Sequence, residues 1–274
     1  MTGLAETLAE WLARGDAVAL VTVADTRGST PREAGAAMLV ARDRTRGTVG
    51  GGRLEWLAVE RARALLDSDH NADRLEVPLG PAIGQCCGGH VTLTVERADA
   101  HTQDALAAGE RRAADARPVL LLFGAGHVGK ALAVALALLP LRLRWIDSRA
   151  GEFPDRLPPG VEAVVSDRPL DHLAAAPAGA GYLVLTHSHA LDFDLTEAAL
   201  RRGDAAYVGL IGSATKRSRF ERWYAARGRD AATLAGLTCP IGAALTGDKR
   251  PEVIAALVAA EILVAFAGHA AKTT

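Results

Sequence analysis

Val119-Leu120-Leu121-Leu122-Phe123-Gly124-Ala125-Gly126-His127-Val128-Gly129 is the stretch on which the fold of this chain turns. Five apolar residues run into a Gly-x-Gly-x-x-Gly turn, and a helical pattern over Val128 to Leu139 follows. Strand, glycine turn and helix in that order are the context that gives a short glycine pattern meaning. Gly124 permits the tight turn, Gly126 lets a phosphate approach the backbone, and Gly129 lets the helix pack closely on the sheet. Amides at the helix start offer a positive end to an anion. Asp147 stands 21 residues after Gly126, at the end of the next expected strand (Leu141 to Ile146), where it can hold a ribose hydroxyl. Gly124, Gly126, His127, Gly129 and Asp147 are therefore candidate contacts for a phosphorylated heterocycle such as a nucleotide. A structural turn without ligand is the alternative, and hydride transfer does not follow from the fold.

Downstream, apolar runs at Ala163 to Val165, Tyr182 to Thr186 and Tyr207 to Ile211 alternate with helical segments. That alternation predicts a largely parallel sheet covered by helices, a Rossmann-like domain over residues 118–274. Three segments fall where its strand ends converge. In Thr186-His187-Ser188-His189, with Asp192 following, the two imidazoles suit phosphate contact, proton transfer or part of a metal site. Two histidines alone do not make a zinc centre, which takes three or four protein ligands. Gly209-Leu210-Ile211-Gly212-Ser213 leads to Lys216, Arg217 and Arg219, an anion seat or a solvated helix face. Cys239-Pro240-Ile241-Gly242 carries a thiol that reads as core, and Pro251 fits the first turn of a closing helix.

Upstream, residues 101–117 are rich in Ala, Arg and Asp and read as a helical or loose linker, leaving 1–100 as a mixed α/β domain. Helices are expected over 4–14 and 54–67, and strands over Val18 to Ala24, Ala37 to Ala41, Leu75 to Leu79 and around Val91 to Val95. This half has three glycine-centred turns: Arg27 to Arg32, Gly47 to Leu54 with Glu55, and Gly84-Gln85-Cys86-Cys87-Gly88-Gly89. Triple glycine at 50–52 carries an entropy cost that a backbone wrapped around a ligand would justify. A sharp strand-to-helix connection is the plainer reading. Adjacent thiols cannot both enter one core from an extended backbone, because successive side chains face opposite ways. At least one of Cys86 and Cys87 is expected at a turn, where a thiolate reacts or binds a soft ligand.

The 274 residues carry a formal charge of -1, so no basic field recruits nucleic acid. Three cysteines rule out a disulfide framework and point to a reducing, cytoplasmic compartment. Met1 to Trp11 lacks the basic start and apolar core of a signal peptide. The apolar run at 131–143 is short and cut by Pro140, and that at 251–267 contains Glu252 and Glu261, so packed helices are expected rather than a membrane span.

Taken in order, these segments resemble the xanthine dehydrogenase accessory protein (XdhC) family over nearly the whole chain. The likeness runs through Gly28-Ser29-Thr30-Pro31-Arg32, Gly47 to Gly52 with Leu54-Glu55, Pro78-Leu79-Gly80-Pro81 and Gln85-Cys86-Cys87-Gly88-Gly89. It continues through Phe123 to Gly129, Thr186 to Asp192, Gly209 to Ser213 and Cys239 to Gly242. The glycine turn alone is a weak signal, and its ordered combination with the vicinal cysteines is a strong one.

The resemblance implies a dimeric cytosolic chaperone that binds molybdenum cofactor (molybdopterin-bound molybdenum). It implies support for sulfuration, the exchange of an oxo for a sulfido ligand, and delivery to xanthine dehydrogenase or a related molybdenum hydroxylase. A cysteine desulfurase and a molybdenum cofactor biosynthesis protein are the further partners it implies. Carried onto this chain, Cys86 and Cys87 are the candidate reactive and metal-binding thiols. Arg32, Gly50, Gly51, Gly52, Gln85, His187, His189 and Ser213 join the glycine-turn residues as candidate cofactor contacts. Ser188 stands where members often carry an acid, residues 247–251 only approximate the family's pattern, and Arg53 fits the xanthine dehydrogenase branch better than the carbon monoxide dehydrogenase branch. An NAD(P)-dependent oxidoreductase built on the glycine turn and a non-catalytic maturation adaptor are the competing readings.

Overall fold

The computed structural model describes residues 3–80, 88–242 and 248–273, which fall into two units, Met1–Asp115 and Ala116–Thr274. Helix α1 (Leu4–Ala13) opens the first unit. Strands β1 (Ala19–Arg27), β2 (Ala37–Val40) and β3 (Thr45–Gly47) precede helix α2 (Gly52–Leu66), and β4 (Ala72–Pro78), β5 (His90–Arg97) and helix α3 (Ala100–Asp115) follow. Among the described residues the five strands form one antiparallel sheet in the order β3-β2-β1-β5-β4.

Alternation decides which face each residue buries. Val21, Val23, Met38, Val40, Leu93 and Val95 pack with Leu54, Ala58, Ala62, Leu65 and Leu66, whose three- and four-residue spacing makes one stripe of α2. Leu39 and Ala41, on the other face, meet Leu8 and Trp11 of α1, with Leu106 of α3 packed alongside. Residues 101–117, expected as a helical or loose linker, fall largely within α3. The Glu110 carboxylate accepts hydrogen bonds from the Leu4 (2.7 Å) and Ala5 (3.2 Å) amides at the start of α1, a negative charge at the positive end of a helix. Strand β1 runs three residues past its expected end. A register shift between Val23 and Asp25 lets Asp25, Thr26 and Arg27 pair with Thr92, Val91 and His90.

In the second unit, β6 (Val119–Phe123), helix α4 (His127–Leu136), β7 (Arg142–Asp147), β8 (Val161–Val165), helix α5 (Pro169–Ala174) and β9 (Gly181–Val184) come first. Helix α6 (His189–Arg202), β10 (Tyr207–Leu210), helix α7 (Ala214–Ala226), β11 (Leu237–Thr238) and helix α8 (Pro251–Thr273) complete it. The six strands pair in parallel in the order β11-β10-β9-β6-β7-β8. Counted from β6 and read from the other edge, this is 3-2-1-4-5-6, the Rossmann order, with its switch point between β6 and β9.

Strands β6, β9 and β10 are buried along their whole length, as a sheet covered on both faces requires. Phe123, Tyr182 and Val184 pack with Leu195, Phe220 and Tyr224 on one face. Leu120, Leu122 and Leu183 pack with Leu132, Leu136, Val258 and Ile262 on the other. Helix α8 is, among the described residues, the helix long and apolar enough to cross a membrane. Its Ala255, Val258 and Ile262 face is buried, while Val264 is 73% exposed. Glu261 has a structural reason to interrupt the apolar run: its carboxylate accepts the Tyr207 hydroxyl and the Gly242 amide (3.1 Å).

Candidate functional site

The switch-point turn is built by two crowded glycines around an open one. Gly124 has φ +118°, and a Cβ there would lie 2.1 Å from the Leu185 carbonyl oxygen. A Cβ at Gly129 would lie 2.2 Å from the Gly124 oxygen, which also accepts the Trp145 indole N–H at 2.9 Å. A Cβ at Gly126 would meet nothing within 4 Å. That open side, at the uncapped start of α4 with no acid in its first turn, is where an anion can approach.

Asp147 is committed to the protein. Its Oδ2 accepts the Ala125 amide (2.7 Å) and Arg149 Nη2 (2.8 Å), and its Oδ1 accepts the Arg149 amide and Nε, both at 2.9 Å. The side chain is 3% exposed. Burial alone would raise its pKa. Hydrogen bonds from the Arg149 side chain and amide and from the Ala125 amide outweigh that and bring it down to about 2. Arg149 also reaches Glu152 (3.3 Å), which in turn accepts Lys130 (3.1 Å).

Beside the turn lies a pocket of about 240 Å³ whose walls include Gly124, Asp147 and His187. Ser148, Ser166, Asp167 and Thr186 also line it. Sequence reasoning missed Ser148, Ser166 and Asp167 as site residues, although Ser166 and Asp167 directly follow the apolar run of β8, at a strand end like the others. The Ser166 amide donates to the Asp147 carbonyl (3.0 Å), and its hydroxyl accepts the Arg168 amide (3.1 Å), so this loop is tethered to β7. His127 begins α4, His189 begins α6, and both are exposed, as is His187. Among the described residues no three His, Cys, Asp or Glu side chains converge as metal ligands would.

The loop carrying His187 rests on a second buried carboxylate. Asp192, 1% exposed, accepts the Thr186 amide and hydroxyl, each at 2.8 Å, and an ion pair from Lys216. A Cβ at Gly212 would lie 2.7 Å from Lys216 Cδ, so the glycine makes room for the lysine stem. Lys216 is thereby an internal partner rather than an open anion seat. Arg217 pairs with Glu221 (2.8 Å) and donates to the Leu237 (3.0 Å) and Cys239 (3.2 Å) carbonyls. Ser213 caps α7, its hydroxyl accepting the Lys216 amide at 3.3 Å. Cys239 is buried, and burial raises its thiol pKa.

In the first unit, β1 and β4 end and β5 begins in register, with Arg27 and Pro78 both opposite His90. Two turns and the Gly88-Gly89 segment meet at this end of the sheet. Ser29 bridges Gly88, and a Cβ at Gly89 would lie 2.2 Å from the Ser29 oxygen. A Cβ at Gly50 would lie 2.6 Å from Pro31 Cγ. Gly50, Gly51 and Gly52 have φ of +135°, +76° and +59°, a run of conformations that L side chains rarely adopt.

Thr48 and Glu55 hold that backbone. The Thr48 hydroxyl accepts the Gly50 amide (3.1 Å) and donates to Glu55, whose carboxylate also accepts the Gly51 amide (3.2 Å). The Gly50 and Gly51 amides are thus used internally, although open space stands where Cβ atoms of Gly51 and Gly88 would be. Arg32 is exposed on the adjoining loop, where the Thr30 hydroxyl donates to its carbonyl (3.1 Å). Gln85, Cys86 and Cys87 lie outside the described residues.

Comparison with known proteins agrees with this two-unit layout. The XdhC Rossmann domain family matches residues 120–262, and the XdhC and CoxI family matches residues 11–77. The uncharacterized protein YqeB of Escherichia coli (strain K12) is 27% identical over 249 residues, covering 89% of this chain. The chain spans 43% of the length of that relative. A crystal structure described as a xanthine dehydrogenase from Bacillus halodurans matches with a TM-score of 0.76 over 96% of both chains. At 17% identity that likeness is one of fold.

Proposed function

The chain belongs to the XdhC family, and from that premise we propose that it is an accessory chaperone in the maturation of xanthine dehydrogenase or a related molybdenum hydroxylase. In this reading it binds molybdenum cofactor, supports its sulfuration and hands it to the target enzyme. The observation that carries the reading is the meeting of two glycine turns with Gly88-Gly89 in the first unit. The Gly28 turn and the Gly50–Gly52 turn adjoin each other through Pro31, and the first also bridges Gly88, directly after the vicinal cysteines.

The donor chemistry fits the cofactor. Cys86 and Cys87 supply soft thiolate sulfur, suited to molybdenum or to an incoming sulfur atom. The open sides of Gly51 and Gly88 leave room for a bulky ligand against the backbone. Exposed Arg32 offers a cation to its phosphate. When bound, the cofactor supplies a metal centre whose oxo ligand is replaced by sulfido. The chain's part is to hold it, shield it and present it. In the second unit, the open face of Gly126 at the start of α4 is the proposed seat of a nucleotide phosphate. A cysteine desulfurase, a cofactor biosynthesis protein and a second copy of the chain are the proposed further partners.

The test is activation of a molybdenum hydroxylase produced without its accessory protein. Added chaperone carrying the cofactor should restore turnover. A Cys86→Ser/Cys87→Ser variant with an unchanged unfolding midpoint should not, and equal activation by both would remove the thiols from the account.

A nicotinamide-dependent oxidoreductase is the second reading, favoured by the 3-2-1-4-5-6 strand order and the glycine turn. Spectral reduction of bound nicotinamide during turnover would select it.

A further inference from the structure

We infer that the pocket beside the glycine turn takes a nucleotide whose ribose hydroxyls are unphosphorylated, and that Asp167, not Asp147, is the carboxylate that accepts them. The inference rests on the proposal that a nucleotide phosphate sits at the open face of Gly126.

In a dinucleotide crevice of this strand order, an acid at the end of the second strand ordinarily accepts the ribose hydroxyls, and a nearby arginine takes its place when the ribose carries a phosphate. Asp147 occupies that position and already accepts four hydrogen bonds, two on each oxygen. A carboxylate has about four lone-pair sites in all, so none is left for a diol. Opening one would mean detaching Arg149 or the Ala125 amide, and the latter holds the glycine turn itself.

Asp167 is placed differently. It lines the same pocket from the loop after β8, is exposed, and has no hydrogen bond or ion pair among the described residues. Its loop is fixed through Ser166, so an acceptor is presented from a tethered backbone. Phe123, Ile146, Pro169 and Leu191 give the pocket apolar walls for a heterocycle. Its volume of about 240 Å³ is below the roughly 300–1,000 Å³ of common ligand pockets, which limits it to one nucleoside-sized group.

Charge disfavours the phosphorylated ribose. The cations nearest in sequence each have a carboxylate partner: Arg149 has Asp147 and Glu152, Lys130 has Glu152, and Arg168 has Asp171 at 2.7 Å in an exposed pair. A 2′-phosphate would meet the unpaired Asp167 carboxylate, and a cation from these residues could offset it only by leaving its own carboxylate partner. Hydroxyls, as donors, gain from the same carboxylate.

The experiment is calorimetric titration of the full chain with NAD and with NADP, used here only as probes that differ by the 2′-phosphate. The wild type should bind NAD about tenfold or more tightly than NADP, the scale of one hydrogen bond to a charged group. Asp167→Ala should weaken NAD by a similar factor, close the gap between the probes and leave the unfolding midpoint unchanged. Gly126→Val, whose side chain enters open space, should fold normally and bind neither probe. If the wild type binds both probes and Asp167→Ala changes nothing, the Asp167 assignment is overturned while the phosphate seat survives. If the wild type binds neither, the seat fails and takes the assignment with it.

Discussion

Asp192 and Lys216, 24 residues apart in sequence, form an ion pair in which the carboxylate is 1% and the lysine side chain 12% exposed. The same carboxylate fixes the Thr186 amide and hydroxyl at the head of the loop that carries His187. Removing one member of such a pair strands a buried charge, at a cost of about 3–5 kcal/mol. Lys216→Met should therefore lower the thermal midpoint by roughly 6–20 °C, taking about 2–4 °C per kcal/mol for a unit of this size. Lys216→Met/Asp192→Asn should recover part of that loss in scanning calorimetry. A single variant as stable as the wild type would contradict the buried pairing.

The glycine turn gives a cleaner contrast. Gly124→Ala places a Cβ 2.1 Å from a carbonyl oxygen at φ +118°, and the turn must deform. Gly126→Ala meets open space at φ -70° and should be neutral or stabilising by up to about 1 kcal/mol through the unfolded chain. Unfolding free energies from urea titration should place Gly124→Ala well below the wild type and Gly126→Ala at or above it.

Asp147 links this turn to pH. Its pKa falls from 3.8 to about 2 on folding, so the unfolded chain takes up the proton first as the medium is acidified. The stabilisation, about 2 kcal/mol, is complete above roughly pH 5 and lost as pH falls through 4 toward 2. Asp147→Asn should lack that part of the acid limb when urea midpoints are measured against pH. An unchanged limb would mean that Asp147 is not held as described.

In the first unit, Glu55→Ala releases the Gly51 amide and the Thr48 hydroxyl together. A loss of about 1–3 kcal/mol is expected from their unsatisfied polar groups. Gly50→Ala should cost more than Gly51→Ala, since its Cβ meets Pro31 while that of Gly51 meets nothing. Both carry the strain of positive φ. Chemical denaturation of the three variants checks the order.

Much of the second unit is legible in the sequence because its signals are local. The run Val119 to Phe123, its glycines and the spacing to Asp147 name a strand, a turn and a second strand end without reference to anything distant. Strand β11 escaped because two residues carry no period and exist as a strand only by pairing with β10. The extension of β1 to Arg27 depends on a register shift against β5, which alternation within β1 does not reveal. Residues 101–117 read as either a helix or a loose linker because α3 buries no residue fully, and its contact with α1 is what decides for the helix. At the site, position was readable and partnership was not. Asp147 falls where a ribose acid belongs, yet the guanidinium two residues on fills its oxygens. Lys216 reads as a free cation until the fold brings Asp192 to it.

The measurement that bears most directly on the central claim is the molybdenum and pterin content of the chain purified anaerobically after coexpression with cofactor-synthesis enzymes. Cofactor should accompany the wild type and be lost from Cys86→Ser/Cys87→Ser without loss of fold. Wild-type protein that carries neither metal nor pterin, or a double variant that retains both, would contradict the account.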